Sequence, residues 1–168
     1  MPPLNAVKIQ TKDYNKTMKN LFIYYSLTGN GDKVAEELKN QKYEIRKIKS
    51  KVKYPKSLVP LMMKGGHRAL TNKKDDLEDF DTNLKGYDKI VIGSPVWDDR
   101  LAPATNTLLD KLDLKGKNVS FILYSGSGQA GKATEKIQEL YNIEPIVLKA
   151  PKKHQEELEK LAEIVKQP

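Results

Sequence analysis

The stretch 21-LFIYYSLTGNG-31 holds the most informative pattern in the chain. Residues 21–25 are apolar or aromatic without a break, as is typical of a strand that is buried on both faces of a parallel sheet. Residues 26–31 form a polar turn with two glycines, and residues 32–40 then carry apolar side chains at helical spacing. The stretch therefore predicts a strand, a turn and a helix, the unit from which α/β domains are built.

The same alternation of strands and helices continues to the end of the chain. Further strands are predicted at residues 43–48, 88–93, 118–124 and 143–148. Further helices are predicted at residues 57–69, with a break near Gly65-Gly66, and at residues 102–110, 129–141 and 152–166. This pattern predicts an α/β fold with three layers, α/β/α, around a five-stranded parallel sheet. The strand order 2-1-3-4-5 is one common solution, and it places a crevice at the carboxyl ends of strands 1 and 3.

The size and composition fit a single domain. The 168 residues suit one hydrophobic core. We assign this core to residues 20–168 and leave residues 1–19 as an N-terminal extension without an assigned role. Apolar runs of about five residues are too short to cross a bilayer. Because residues 1–20 also lack the apolar stretch of a signal peptide, we expect a cytoplasmic protein with no membrane insertion.

Several kinds of site are excluded by residue type. The chain has no cysteine, which excludes disulfides, thiolate metal sites and cysteine nucleophiles. No cluster of Asp, Glu and His has metal-ligand spacing, so we expect no metal site. Ser26 and Ser125 lie outside any G-x-S-x-G motif, and serine hydrolase chemistry therefore has no support.

The net charge of +8 is concentrated in one segment. Residues 42–56 contain seven Lys or Arg residues and a single acid, Glu44. Such a run is either a solvated face or a surface for an acidic partner protein. Nucleic acid is not an expected partner, because Tyr43 and Tyr54 are the only aromatic residues in the run and no RNA-binding motif is present.

The turn after the first strand is a candidate anion site, which we call the first loop. The amides at a helix start point outward without intrahelical partners, and the helix dipole is positive there. Because the GxxxxGK[ST] pattern of nucleoside triphosphatases is absent, a terminal phosphate monoester is favoured over a triphosphate. The alternative is an ordinary capped turn. The candidate residues of the first loop are Ser26, Leu27, Thr28, Gly29, Asn30 and Gly31.

Two further loops follow predicted strands at the same edge. The second loop, residues 93–97 (GSPVW), ends in the only tryptophan of the chain. A planar indole in this place suits stacking on a flat aromatic ring, although Trp97 could instead fold back over the sheet end. The third loop, residues 125–128 (SGSG), contains small residues that let the main chain approach a ligand. By itself it could equally be a flexible connection.

Taken together, the three loops resemble those of the flavodoxin family. The first loop is similar to that family's FMN phosphate loop, usually Ser/Thr-x-Thr-Gly-Asn-Thr, and the other two are similar to its second and third flavin loops. Pro95 and Trp97 resemble the Pro-x-Trp motif of one subgroup. The resemblance implies that the first loop holds the FMN phosphate and that Trp97 stacks on the isoalloxazine ring. It further implies that the ring is contacted by Ser94, Pro95 and Val96, and that its pyrimidine side is lined by Ser125, Gly126, Ser127 and Gly128.

The resemblance implies an FMN-binding protein that transfers electrons to or from a redox partner protein, and the positive charge suits an acidic partner. Two alternatives stay open: a flavin-dependent NAD(P)H:quinone-type reductase, and a flavodoxin-fold binding domain that has lost FMN. Two departures bear on the last alternative. Gly31 stands where the family usually has threonine, and Asp98-Asp99 follow Trp97 where glycine is usual. A non-glycine residue there meets a steric cost if φ is positive.

Overall fold

The computed structural model describes residues 17–55, 57–71 and 73–166. The strands are β1 (Asn20–Tyr24), β2 (Glu44–Lys47), β3 (Lys89–Trp97), β4 (Arg100–Leu101), β5 (Val119–Ser125) and β6 (Ile146–Lys149). The α-helices are α1 (Asn30–Asn40), α2 (Leu58–Leu70), α3 (Pro103–Lys111), α4 (Gly131–Tyr141) and α5 (Ala162–Lys166), and a 3₁₀ helix covers Gln155–Leu161. The predicted N-terminal extension lies outside the described residues, except for residues 17–19.

The sheet has the predicted topology. Its parallel strands lie in the order β2-β1-β3-β5-β6. Without the two-residue strand β4, which the sequence did not reveal, this is the predicted order 2-1-3-4-5. β4 runs antiparallel to the end of β3, where Val96 pairs with Leu101 and Trp97 with Arg100.

Helices cover both faces of the sheet. Successive residues of a strand point to opposite faces, so Leu21 and Ile23 lie in one buried cluster while Phe22 and Tyr24 lie in the other. Helices α3 and α4 contribute to the first cluster, whereas α1 and the C-terminal helical segment contribute to the second. The predicted three-layer α/β/α fold is therefore confirmed.

Two helix predictions were wrong in detail. Helix α2 continues through Gly65 and Gly66 without the predicted break, because a glycine in a helix interior costs only about 1 kcal/mol and does not remove a hydrogen bond. A side chain at Gly66 would lie 3.6 Å from Cβ of Asp98, so the glycine lies where α2 approaches the end of β3. The predicted helix at 152–166 is instead a turn, a 3₁₀ helix and the short helix α5.

Among the described residues, no helix combines the length and the apolar character that a membrane span requires.

Candidate functional site

The first loop joins β1 to the start of α1. Gly29 occupies the N-cap position with φ of 97°, a left-handed conformation that glycine adopts without strain. The Ser26 hydroxyl accepts a hydrogen bond of 3.1 Å from the Gly31 amide. Thr28 is exposed, and Asn30 is the first residue of the helix. The loop thus presents a helix N-terminus with polar side chains, which is an arrangement that favours anions.

Packing behind the first loop explains why residue 31 is glycine. A Cβ at Gly31 would lie 2.7 Å from Cζ of Tyr124 and 2.8 Å from Cβ of Ser26. Tyr124 is buried at the end of β5, and its hydroxyl donates a hydrogen bond to the Tyr25 carbonyl oxygen. Burial raises the pKa of Tyr124 well above its usual value. The tyrosine therefore occupies the space that the family's usual threonine would need.

Trp97 lies in a strand and not in a loop. The predicted strand ends at residue 93, but β3 continues to Trp97 because β4 pairs with its last residues. The half-buried indole makes edge contacts with two tyrosines. Its ring centroid lies 4.9 Å from that of Tyr54 and 5.9 Å from that of Tyr25.

The two residues after Trp97 form the turn of a β-hairpin. Asp98 and Asp99 have φ of 48° and 63°, the positive values that both residues of a type I′ hairpin turn require. The Asp99 carboxylate accepts a hydrogen bond of 3.1 Å from the Lys132 amide, and the backbone carbonyl oxygen of Asp99 accepts one of 2.9 Å from the Ala133 amide. Asp98 lies 3.6 Å from Arg100. The turn is thereby attached to the first turn of α4.

The third loop is open on one side. Ser125 is buried at the end of β5, and its hydroxyl lies 3.1 Å from that of Ser127. Gly128 has φ of 82° and packs close to Lys149, whereas a Cβ at Gly126 would meet no atom within 4 Å. The main chain at Gly126 is therefore accessible to a ligand.

The sheet topology brings the three loops together. Strands β1, β3 and β5 are neighbours, with Tyr24 beside Gly93 and Pro95 beside Tyr124. Their carboxyl ends consequently share one edge, with the first loop, Trp97 and the third loop side by side. Ser94 and Pro95 lie in the interior of this edge, and the Ser94 hydroxyl lies 2.7 Å from that of Thr105 in α3.

A family model described as flavodoxin matches residues 19–166. The chain belongs to the flavodoxin family. No curated protein matches it. Among solved structures, its fold is similar to that of a Bacteroides eggerthii protein, at 22% identity and a TM-score of 0.66 over 90% of this chain and 100% of the other. It is also similar to a flavoprotein of Lactobacillus acidophilus in complex with FMN, at 26% identity and a TM-score of 0.61 over 83% of this chain and 98% of the other.

A buried carboxylate supports the tryptophan side of this flavodoxin, and sequence analysis missed it. The side chain of Asp75 is fully buried and lies 2.7 Å from Nη2 of Arg68 in α2. It accepts hydrogen bonds of 2.8 Å from the Tyr54 hydroxyl and 2.9 Å from the Ser50 hydroxyl. Burial and the neighbouring Asp75 carboxylate raise the pKa of Tyr54. Asp75 thus holds in place the ring that contacts Trp97.

Lys152 is a second residue of the site that sequence analysis missed. Its amide donates a hydrogen bond of 3.1 Å to the side-chain oxygen of Asn30, and its ammonium group donates one of 3.2 Å to the Thr28 carbonyl. The two contacts join residues that lie 122 and 124 positions apart in the sequence. Local pattern could not reveal them.

The basic run is partly neutralised within the chain. Arg46 lies 3.2 Å from Glu44 and 3.1 Å from Asp81, and Lys47 lies 2.7 Å from Asp32. Lys51 and Lys53 are exposed at the other end of the run. Within the described ranges, no group of three or more Asp, Glu and His side chains is arranged to hold a metal ion.

Proposed function

We propose that this flavodoxin binds FMN non-covalently and transfers electrons through it. One observation supports the proposal most strongly. A helix N-terminus, a half-buried tryptophan and an open glycine loop lie together at the ends of three adjacent strands. Membership of the family and the FMN complex of the similar Lactobacillus acidophilus flavoprotein support it. FMN supplies redox chemistry when bound, and the protein sets its position and access.

The residues of the first loop fit a phosphate monoester. Thr28 carries an exposed hydroxyl, and Asn30 carries a side-chain amide at the start of α1. Gly31 lacks the hydroxyl of the family's usual threonine, and the Tyr124 ring occupies the space that the threonine side chain would need. The close packing at Gly31 indicates a loop that is rigid before ligand binds, which lowers the entropic cost of binding.

The other two loops fit a flat heterocycle. The Trp97 indole is held by its edge contacts with Tyr25 and Tyr54, which leaves its position fixed while part of it stays accessible. Gly126 offers main-chain polar groups with no side chain in the way. Stacking on a flavin requires an accessible aromatic ring, and hydrogen bonding to it requires accessible polar groups such as those of the main chain.

An electron carrier is favoured over a reductase with its own small substrate. A reductase needs room beside the flavin for a nicotinamide or a quinone, and residues 54–70 are the segment that could provide it. Tyr54 instead packs on Trp97 with ring centroids 4.9 Å apart, and Asp75 and Arg68 fix its hydroxyl. The described part of this segment that reaches the tryptophan is therefore occupied by the protein's own side chains.

The partner in this proposal is an acidic redox protein. Lys53 and Lys64 are exposed, and Lys64 lies 5.6 Å from the Tyr54 ring, so positive charge lies near the tryptophan side of the site. Electrostatic steering by such charges weakens with ionic strength. Association with an acidic partner should therefore slow as salt is added, and a salt-independent rate would contradict this part of the proposal. A cytoplasmic location belongs to the same proposal, because a chain without cysteine fits a reducing compartment.

The test is electron transfer through the reconstituted protein. The protein is loaded with FMN, and an NADPH-dependent flavoprotein reductase is supplied as donor with an acidic haem protein, cytochrome b5, as acceptor. We expect reduction of the acceptor that depends on both the protein and FMN. Reduction of a quinone by NADPH without the added reductase would instead support the reductase alternative, and failure to retain FMN would support the binding domain that has lost it.

A further inference from the structure

The segment after β6 forms a fourth element of the site. The Ala150 amide donates a hydrogen bond of 2.9 Å to the Ser125 carbonyl of the third loop, and the Ala150 carbonyl accepts one of 2.8 Å from the Lys153 amide. The Lys149 amide is bound by the Glu157 carboxylate at 2.8 Å. These contacts fix a tight turn at residues 150–153, and that turn lies against both the first and the third loops.

This turn places one ammonium group on the first loop. The backbone amide of Lys152 is bound by the Asn30 side chain, and its Nζ is 3.2 Å from the Thr28 carbonyl. A Cβ at Gly29 would lie 3.3 Å from the same Nζ, which shows how closely the side chain follows the loop. Since an ammonium group has three donors, two remain for other acceptors.

The charge of Lys152 is available to an anion. No carboxylate among the described residues lies within ion-pairing distance of its Nζ, whereas Lys47 near the same helix is already paired with Asp32. The first loop itself contains no basic residue. Its helix N-terminus contributes a positive partial charge of about half an elementary charge, which is much less than the charge of a phosphate monoester at neutral pH.

We propose that Lys152 is a specificity residue of the flavin site, which pairs with the terminal phosphate and makes the site select FMN over riboflavin. This inference rests on the proposed function. Riboflavin has the same ring system and lacks the phosphate, so the stacking on Trp97 and the contacts of the third loop serve both ligands equally. Lys152 adds affinity only for the phosphorylated one.

The test compares FMN and riboflavin binding to the full chain and to Lys152→Gln, by quenching of flavin fluorescence at low and high salt. We expect the variant to bind FMN about tenfold more weakly and riboflavin with unchanged affinity. The salt dependence of FMN binding should also become shallower. Lys152→Arg should recover most of the lost affinity, and Lys117→Gln, a change at an exposed lysine before the start of β5, should match the original protein.

The possible results separate this inference from the proposed function. If the original protein binds neither flavin, both are wrong. If it binds FMN and Lys152→Gln binds FMN equally well, only the role of Lys152 is wrong. Tighter FMN binding by the variant would also overturn the inference, because it would mean that the lysine obstructs the loop. Equal weakening of FMN and riboflavin would assign Lys152 a structural role instead.

Discussion

The phosphate side and the tryptophan side of the site are built in different ways. The first loop is a local strand–turn–helix unit whose glycine at residue 31 is fixed by one packed tyrosine, Tyr124. The tryptophan side is assembled from distant segments, with Tyr54, Arg68 and Asp75 on one flank and the start of α4 on the other. Damage to the first side should stay local, whereas damage to the second should spread through buried charges.

The largest effect is expected for Asp75→Asn. The change removes the fully buried charge that pairs with the partly exposed Arg68 guanidinium, and it weakens the hydrogen bond from Tyr54. Removal of one partner of a buried ion pair lowers the free energy of unfolding by about 3 kcal/mol. Urea denaturation followed by Trp97 emission measures the loss, and emission of the folded variant should shift as Tyr54 moves. Asp76→Asn at the adjacent exposed residue is the control, and equal stability of both variants would contradict the role of Asp75.

The next effect is expected for Gly31→Ala. The added Cβ would lie within 3 Å of Tyr124 and Ser26, and overpacking of this kind costs about 1–3 kcal/mol. Gly126→Ala is the matched control, because nothing lies within 4 Å of the position of its Cβ. The double variant Gly31→Ala/Tyr124→Phe should lose less unfolding free energy than the sum of the losses in the two single variants. Full additivity would show that Tyr124 is not what confines residue 31.

A smaller effect is expected for Asp99→Ala. The change removes the carboxylate that binds the Lys132 amide at 3.1 Å and places alanine at a φ of 63°. Loss of such a cap costs about 1 kcal/mol. Asp99→Asn keeps an acceptor oxygen and tolerates the left-handed conformation, so its thermal unfolding should stay close to that of the original protein. A greater loss for Asn than for Ala would contradict the capping role.

The smallest effect is expected for Thr28→Ala, and it should appear in binding alone. Thr28 is exposed, so the unfolding free energy should not change. Loss of one uncharged hydroxyl donor to the phosphate should weaken FMN binding roughly fivefold. Isothermal titration with FMN, paired with a urea unfolding curve, measures both quantities. Weaker riboflavin binding in the same variant would show that Thr28 serves the ring and not the phosphate.

The same contrast explains what the sequence could predict. The β1–α1 turn and the five parallel strands follow from local periodicity, whereas their order was one common solution among the few ways in which such units wind. The hairpin at Trp97 was missed because β4 has only two residues, too few to show a period. Asp75 and Lys152 were missed because neither stands in a local motif.

Two places near the end of β3 differ from the local expectation. The residues after Trp97 predicted a steric cost if a non-glycine residue had positive φ. Asp98 and Asp99 do have positive φ, and the start of α4 stabilises the turn through the hydrogen bond from the Lys132 amide to Asp99. The glycine pair in α2 predicted a break, but neighbouring turns keep the helix continuous. At the turn after Trp97 the partner, Lys132, lies 33 residues away.

The most direct test of the account is titration of FMN into the apo-protein with flavin and Trp97 emission recorded together. The only tryptophan of the chain lies in the site, so its emission reports on the site alone once absorption by FMN is corrected with free tryptophan. The account predicts saturable one-to-one quenching of both signals, with weaker flavin quenching in Trp97→Ala. Absence of binding at tens of micromolar, or flavin quenching with no change at Trp97, would contradict it.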